Sequence, residues 1–198
     1  MRLKRSFLIL VVATLAWGLL AGLSLAGEFS ATVVTRTDSQ ETKGKVYIQG
    51  EKMRQEFSTP EGMTVNIARP DKQLMWVLMP EQKMAMEMPF AKSGLGMSMA
   101  MPEEKAKMKL LGTETVNGYD TEKYETTVTA AGKADKHFLW VSKKLGVPIK
   151  MMSEDGKFSM EYLEIKEGGV TAGLFEVPEG YQKMTMPAGM PQGMPRTK

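Results

Sequence analysis

Cysteine is absent from the 198 residues, and histidine occurs once, as His137. No disulfide framework, thiolate zinc site, thiol nucleophile or CxxC redox pair can therefore be built. A cage of several imidazoles is excluded too. The chain has no GxSxG elbow after its first apolar run, and Gly94-Leu95-Gly96 lacks the strand–helix surroundings of a dinucleotide loop. Any Ser-His-Asp relay would have to use His137, whose place in Lys136-His137-Phe138-Leu139-Trp140 reads as a surface position opposite Phe138 and Trp140. Carboxylates such as Glu51, Glu56, Glu61, Glu154 and Glu161 are scattered on hydrophilic faces. The composition thus points away from an enzyme.

The amino end has the layout of an export signal. Basic Arg2, Lys4 and Arg5 precede an apolar run from Phe7 to Leu25, and Ser24-Leu25-Ala26 places small residues before Gly27. Residues 1–26 read as a signal peptide, with an uncleaved anchor as the other option, since the run is long enough to span a bilayer. Cleavage would leave no transmembrane segment in the mature chain. It would also leave 23 basic and 23 acidic residues, so no cationic surplus would remain to hold nucleic acid by counterion release. The expected location is periplasmic or secreted.

From residue 27 onward, long amphipathic helical patterns are scarce and alternation with period two is common. Phe29, Ala31 and Val33 share one strand face, as do Val46 with Ile48 and Met53 with Phe57. Leu74–Met79 is apolar on both faces, as in a central strand covered on both sides. Gly50-Glu51, Asn117-Gly118 and Asp155-Gly156 mark hairpin turns. About ten antiparallel strands result, with room for a helix only over Ala91–Lys109. The expected class is all-β with minor α, a barrel or sandwich, in a single domain over 27–183. The Met/Pro/Gly-rich tail 184–198 reads as disordered.

Methionine is over-represented, with 19 in the chain. Met84, Met86 and Met88 fall on one strand face. Met97, Met99 and Met101 repeat the spacing, and Met184, Met186, Met190 and Met194 stud the tail. For the first triplet, alternation with Lys83, Ala85 and Glu87 suits a half-buried strand face, and unbranched Met also suits a surface that repacks around apolar ligands. Thioethers select Cu(I) and Ag(I), so a Cu(I) site on Met97, Met99, Met101, Met184, Met186, Met190 and Met194 is the alternative. Without it no cofactor is expected. Trp76, Trp140, Tyr47, Tyr124 and Tyr162 read as sheet packing or as the wall of an apolar cavity.

Several ordered motifs carry a resemblance. They are Gly44-Lys45-Val46-Tyr47-Ile48, Gly50-x-Lys52-Met53-Arg54, Ile67-x-Arg69-Pro70-Asp71, Trp76-x-Leu78-x-Pro80, Glu114-Thr115-Val116-Asn117-Gly118-Tyr119, Lys123-Tyr124, Trp140-Val141-Ser142, Gly146-x-Pro148 and Phe175-Glu176-Val177-Pro178-Glu179-Gly180-Tyr181. Over about 28–183 the chain resembles a family of bacterial periplasmic proteins catalogued as a domain of unknown function, number 4412. It is similar to the LolA and LolB carriers of outer-membrane lipoproteins. The resemblance implies a curved antiparallel sheet forming an incomplete barrel, with an apolar concave face and no catalytic residues. The expected function is a non-enzymatic, carrier-like protein whose concave face holds a lipid, acyl chain or lipoprotein segment, lined by Trp76, Leu78, Met84, Met86, Met88 and Trp140. An envelope protein partner, or a structural role without ligand, is the further option.

Overall fold

The computed structural model describes residues 27–59, 62–90, 108–130 and 133–185. Twelve strands follow in chain order: β1 Phe29–Thr37, β2 Gln40–Gln49, β3 Lys52–Thr59, β4 Gly62–Arg69, β5 Leu74–Met79, β6 Met84–Pro89, β7 Lys109–Val116, β8 Tyr119–Ala130, β9 Lys133–Ser142, β10 Pro148–Ser153, β11 Ser159–Glu167 and β12 Gln182–Thr185. They form a single sheet in the order β12-β6-β5-β4-β3-β2-β1-β11-β10-β9-β8-β7, with β12 and β7 at its two ends. Every pairing is antiparallel except β12 with β6. Among the described residues no α-helix occurs, and no helix is long and apolar enough to cross a membrane.

The turns are those that the sequence marks. Asn117 and Gly118 both take positive φ, 50° and 81°, as the primed two-residue hairpin requires. Between β4 and β5, and again between β5 and β6, proline opens a 3-10 turn, Pro70–Lys72 and Pro80–Gln82. Proline suits that first position because its missing N–H would be unpaired there anyway. Each turn closes on a left-handed residue, Gln73 or Lys83.

Alternation sorts the strands into two faces, and the register joins those faces across strands, since directly paired residues share a side. One face carries the row Phe29–Ile48–Met53–Ala68–Met75–Met88 from β1 to β6. Beside it runs Ala31–Val46–Gln55–Asn66–Val77–Met86–Met184, which ends on β12. The opposite face carries Tyr47–Arg54–Ile67–Trp76–Glu87 and Lys45–Glu56–Val65–Leu78–Ala85.

The sheet bends toward the first of these faces. Gln55 on β3 and Tyr162 on β11 lie three strands apart, about 14 Å on a flat sheet at the usual spacing. Their side chains nevertheless hydrogen-bond to each other. Tyr162 is buried, and that burial pushes its phenol up to about 12. Phe29 packs against Tyr162 with ring centroids 6.2 Å apart, at the centre of the larger core cluster. At Gly44, in the same hollow, a methyl group would lie 2.3 Å from the Glu56 carbonyl oxygen and 2.7 Å from the Phe57 ring. Only glycine permits this approach.

The smaller core lies on the convex face. Phe175, fully buried, packs with Val65, Ile67, Trp76, Leu78, Ala85 and Val170. The segment Val170–Tyr181 crosses this face as a strap and leads into β12. Polar side chains hold it down. Arg69 donates to the Phe175 carbonyl at 3.0 Å, Arg54 to the Leu174 carbonyl at 3.0 Å and Gln49 to the Val170 carbonyl at 3.1 Å. The Val170 N–H donates to Glu28 at 2.7 Å.

Two expectations need correction. Among the described residues there are twelve strands rather than about ten, and one pair is parallel. Ala172–Phe175 forms a 3-10 turn that drops Phe175 into the core. Met184 and Thr185 are not tail but part of β12, because pairing with Met86 and Glu87 extends the sheet by one edge. The signal segment, the stretch with room for a helix (Ala91–Lys109) as far as Lys107, and the tail beyond Thr185 lie outside the described residues.

Candidate ligand-binding face

The concave face is apolar for a chemical reason. Its rows through β1–β6 contain no charged side chain, only Gln55, Asn66 and Thr64 among apolar residues. Nine methionines share it: Met53, Met75, Met79, Met84, Met86, Met88, Met151, Met160 and Met184. Burial grades along it. Phe29, Val46 and Met53 near the middle are closed to solvent, whereas Val77, Met79, Met84, Met86 and Met88 are half-buried and Met184 is exposed. The centre of the hollow is thus filled by the protein's own side chains. Its β5–β6–β12 end is the part with apolar surface left to cover.

The six residues expected to line one surface divide between two faces. Met84, Met86 and Met88 lie on the concave face, where Met79, Val77 and Met75 of β5 stand opposite them. Trp76 and Leu78 point the other way, into the small core under the strap. The Trp76 indole N–H donates to Glu87 at 2.9 Å, and Lys72 and Lys183 lie 5.5 and 5.6 Å from its ring. Trp140 stands seven places along the sheet from Trp76. Its indole donates to Glu114, and Lys123 and Lys150 flank its ring at 4.6 and 5.0 Å. That bond holds the Glu114 carboxyl below its ordinary range, with the nearby lysines adding to the effect.

Of the residues considered for Cu(I), Met184 is in β12 and pairs with Met86. Met97, Met99, Met101, Met186, Met190 and Met194 lie outside the described residues. The sequence reading missed Met75, Met79 and Val77 as partners of the first triplet. The apolar run Leu74–Met79 hinted at them, but which of its two faces meets β6 depends on register.

Two depressions are formed elsewhere, and both are polar. One, of about 550 Å³, lies between Thr37–Ser39, Asp135–His137 and Ser153–Phe158. His137 is half-buried there, its Nδ1 3.2 Å from the Asp135 carbonyl and its ring edge-on to Phe158. The other, of about 630 Å³, is lined by Gly118, Tyr119, Asp120, Lys143, Lys144 and Glu167. Neither includes any of the six expected lining residues. Among the described residues no three His, Asp or Glu side chains converge as a metal site.

The family model of DUF4412, a domain of unknown function, matches residues 30–147. A search of curated proteins finds no match. Among solved structures, the chain is similar to an uncharacterized conserved protein from Thermus thermophilus, with a TM-score of 0.57 at 18% identity, covering 82% of this chain and 92% of that one. It is similar to a chain of the Pseudomonas aeruginosa MucA/MucB complex, with a TM-score of 0.50 at 13% identity, covering 84% of this chain but 62% of that one. A domain from Vibrio parahaemolyticus named for outer membrane lipoprotein sorting matches with a TM-score of 0.38 at 13% identity, over 75% of this chain and 89% of that one. At such identities the likeness to the first two is one of fold alone.

Proposed function

This chain belongs to the DUF4412 family, and on that premise we propose that it is a carrier-like binding protein of the bacterial cell envelope. Its ligand is an acyl chain, as a free lipid or on a lipoprotein, and it is held without chemistry on the concave face. The observation that carries this reading is the uncharged, half-buried patch of Val77, Met79, Met84, Met86 and Met88 at the end of a bent, unclosed sheet. Covering it with an acyl chain removes apolar surface from water, about 0.8 kcal/mol for each methylene buried. Methionine side chains have three rotatable bonds and a polarizable sulfur, so they refill the gaps that chains of different length leave. The basic-then-apolar layout of residues 1–26 supports export to the envelope.

The test is purification from cells followed by mass spectrometry of extracted lipids, with titration of a fluorescent fatty acid into the delipidated protein. Co-purified lipid and saturable uptake are expected. Clean absence of both would overturn the reading.

A further inference from the structure

The methionines of β6 have a second chemistry. Each is paired directly across a strand with another methionine: Met88 with Met75, Met84 with Met79, and Met86 with Met184. Six thioethers therefore occupy one end of one face. Cross-strand partners have Cβ atoms about 5 Å apart, and successive methionines on β6 are about 6.7 Å apart. A methionine sulfur lies two bonds beyond Cβ and swings on free torsions, so three of these sulfurs can converge on one point. The rest of the environment decides which ion they suit. Glu87, the carboxylate between Met86 and Met88, points to the opposite face, where it accepts from Trp76. Hard cations such as Ca²⁺ and Mg²⁺ need several oxygen ligands, chiefly carboxylates, and this end of the face offers only neutral amides such as Gln182, opposite Met84, and no carboxylate.

We propose that Met84, Met86, Met88 and Met184, with Met75 and Met79 behind them, bind a soft monovalent cation, Cu(I) or Ag(I). Neutral thioethers favour such ions over Zn²⁺ or Mg²⁺. Met184, brought to the patch by the parallel β12, closes the site at its solvent-facing side. This site differs from one built on the repeated methionines at 97–101 or on the tail. It does not depend on acyl binding, although an acyl chain lying over the same sulfurs would compete with the ion.

The experiment sets Cu(I) affinity, measured against a chromophoric Cu(I) chelator under reducing conditions, beside fatty-acid uptake. Both are measured for the protein purified from cells, for M84L/M86L/M88L and for M97L/M99L/M101L. Leucine keeps the patch apolar and removes the sulfur. The first variant is expected to bind Cu(I) at least about tenfold more weakly, a loss that even substitution outside the ligand shell brings. Unchanged Cu(I) affinity in that variant, or loss confined to M97L/M99L/M101L, would overturn the proposal. So would absence of Cu(I) binding by the unsubstituted protein, which leaves the acyl reading standing. Absence of fatty-acid uptake alongside Cu(I) binding does the reverse. Should M84L/M86L/M88L fail to fold, Ag(I) titration of the unsubstituted protein with methyl-labelled methionine decides. Shifts that begin at Met84, Met86, Met88 and Met184 support the site, and shifts confined to other methionines contradict it.

Discussion

Strands β5 and β6 present two faces built from alternate residues of the same short segments, and the two faces have opposite fates. On the convex side, Trp76, Leu78 and Ala85 are sealed by a strap from the same chain, with Phe175 as its plug and Arg69 as its clamp. On the concave side, Met75 is buried while Val77, Met79, Met84, Met86 and Met88 stay half-covered. The covered face uses rigid aromatic and aliphatic groups and fixes its polar edges with defined hydrogen bonds. The other uses the most adaptable apolar side chain and carries no charge. A permanent contact rewards fixed shape, whereas a surface meant for exchange rewards plasticity. Aromatic content, the most visible apolar signal in the sequence, marks the permanent contact here.

The largest effect expected from breaking this contrast is on the strap side. Phe175→Ala empties a fully buried site and should lower stability by about 3–5 kcal/mol. Urea denaturation measures this, and fatty-acid affinity should not change. A parallel fall in affinity would mean that the two faces are not independent.

Arg69→Met removes the donor to the Phe175 carbonyl and the ion pairs with Asp71 and Glu176. Leaving that buried carbonyl unpaired should cost about 2–3 kcal/mol, measured in the same way.

Acid should loosen the same clamp more gently. Hydrogen bonding from Arg69 holds the Asp71 carboxyl below its ordinary 3.8. For Glu176, partial burial acts upward, but the bonds from Arg69 and Lys72 outweigh it and hold the carboxyl below 4.5. Both groups are lowered on folding, so their contribution is complete above the ordinary values and fades as pH falls through the folded ones. Thermal unfolding followed from pH 6 downward should show no loss from this source until pH passes below about 4.5. Glu176→Gln should flatten the decline, and an unaltered acid limb in that variant would contradict the assignment.

The smallest stability effect belongs to the concave face. Met86→Gln is expected to change stability by no more than about 1 kcal/mol, because the residue is half-buried. It should nevertheless weaken fatty-acid uptake, the reverse of the Phe175→Ala pattern.

Much of this fold was legible in the chain. Alternation located the strands from Phe29 to Glu167, and Asn117-Gly118 and Asp155-Gly156 marked hairpins. The ordered motifs pointed to the DUF4412 family. The site was legible only within single strands. Met84, Met86 and Met88 were placed on one face because period two fixes that locally. Their grouping with Trp76 failed because side in a neighbouring strand depends on register, and a shift of one residue exchanges the faces. The place of Phe175 is not legible in Leu174–Pro178 alone. What decides its place is the pair of guanidinium donors, Arg54 and Arg69, that catch the strap carbonyls from 120 and 106 residues away in sequence. The role of β12 was hidden because four exposed residues carry no apolar pattern of their own.

Photocrosslinking tests the concave-face assignment most directly. A fatty acid carrying a diazirine near its methyl end is bound to the delipidated protein and irradiated, and the adducts are mapped by mass spectrometry. Adducts are expected on Met75, Val77, Met79 and Met84–Met88, and on Met184. Adducts concentrated on Val170–Tyr181, or on Trp76 and Leu78 beneath it, would contradict a concave-face site.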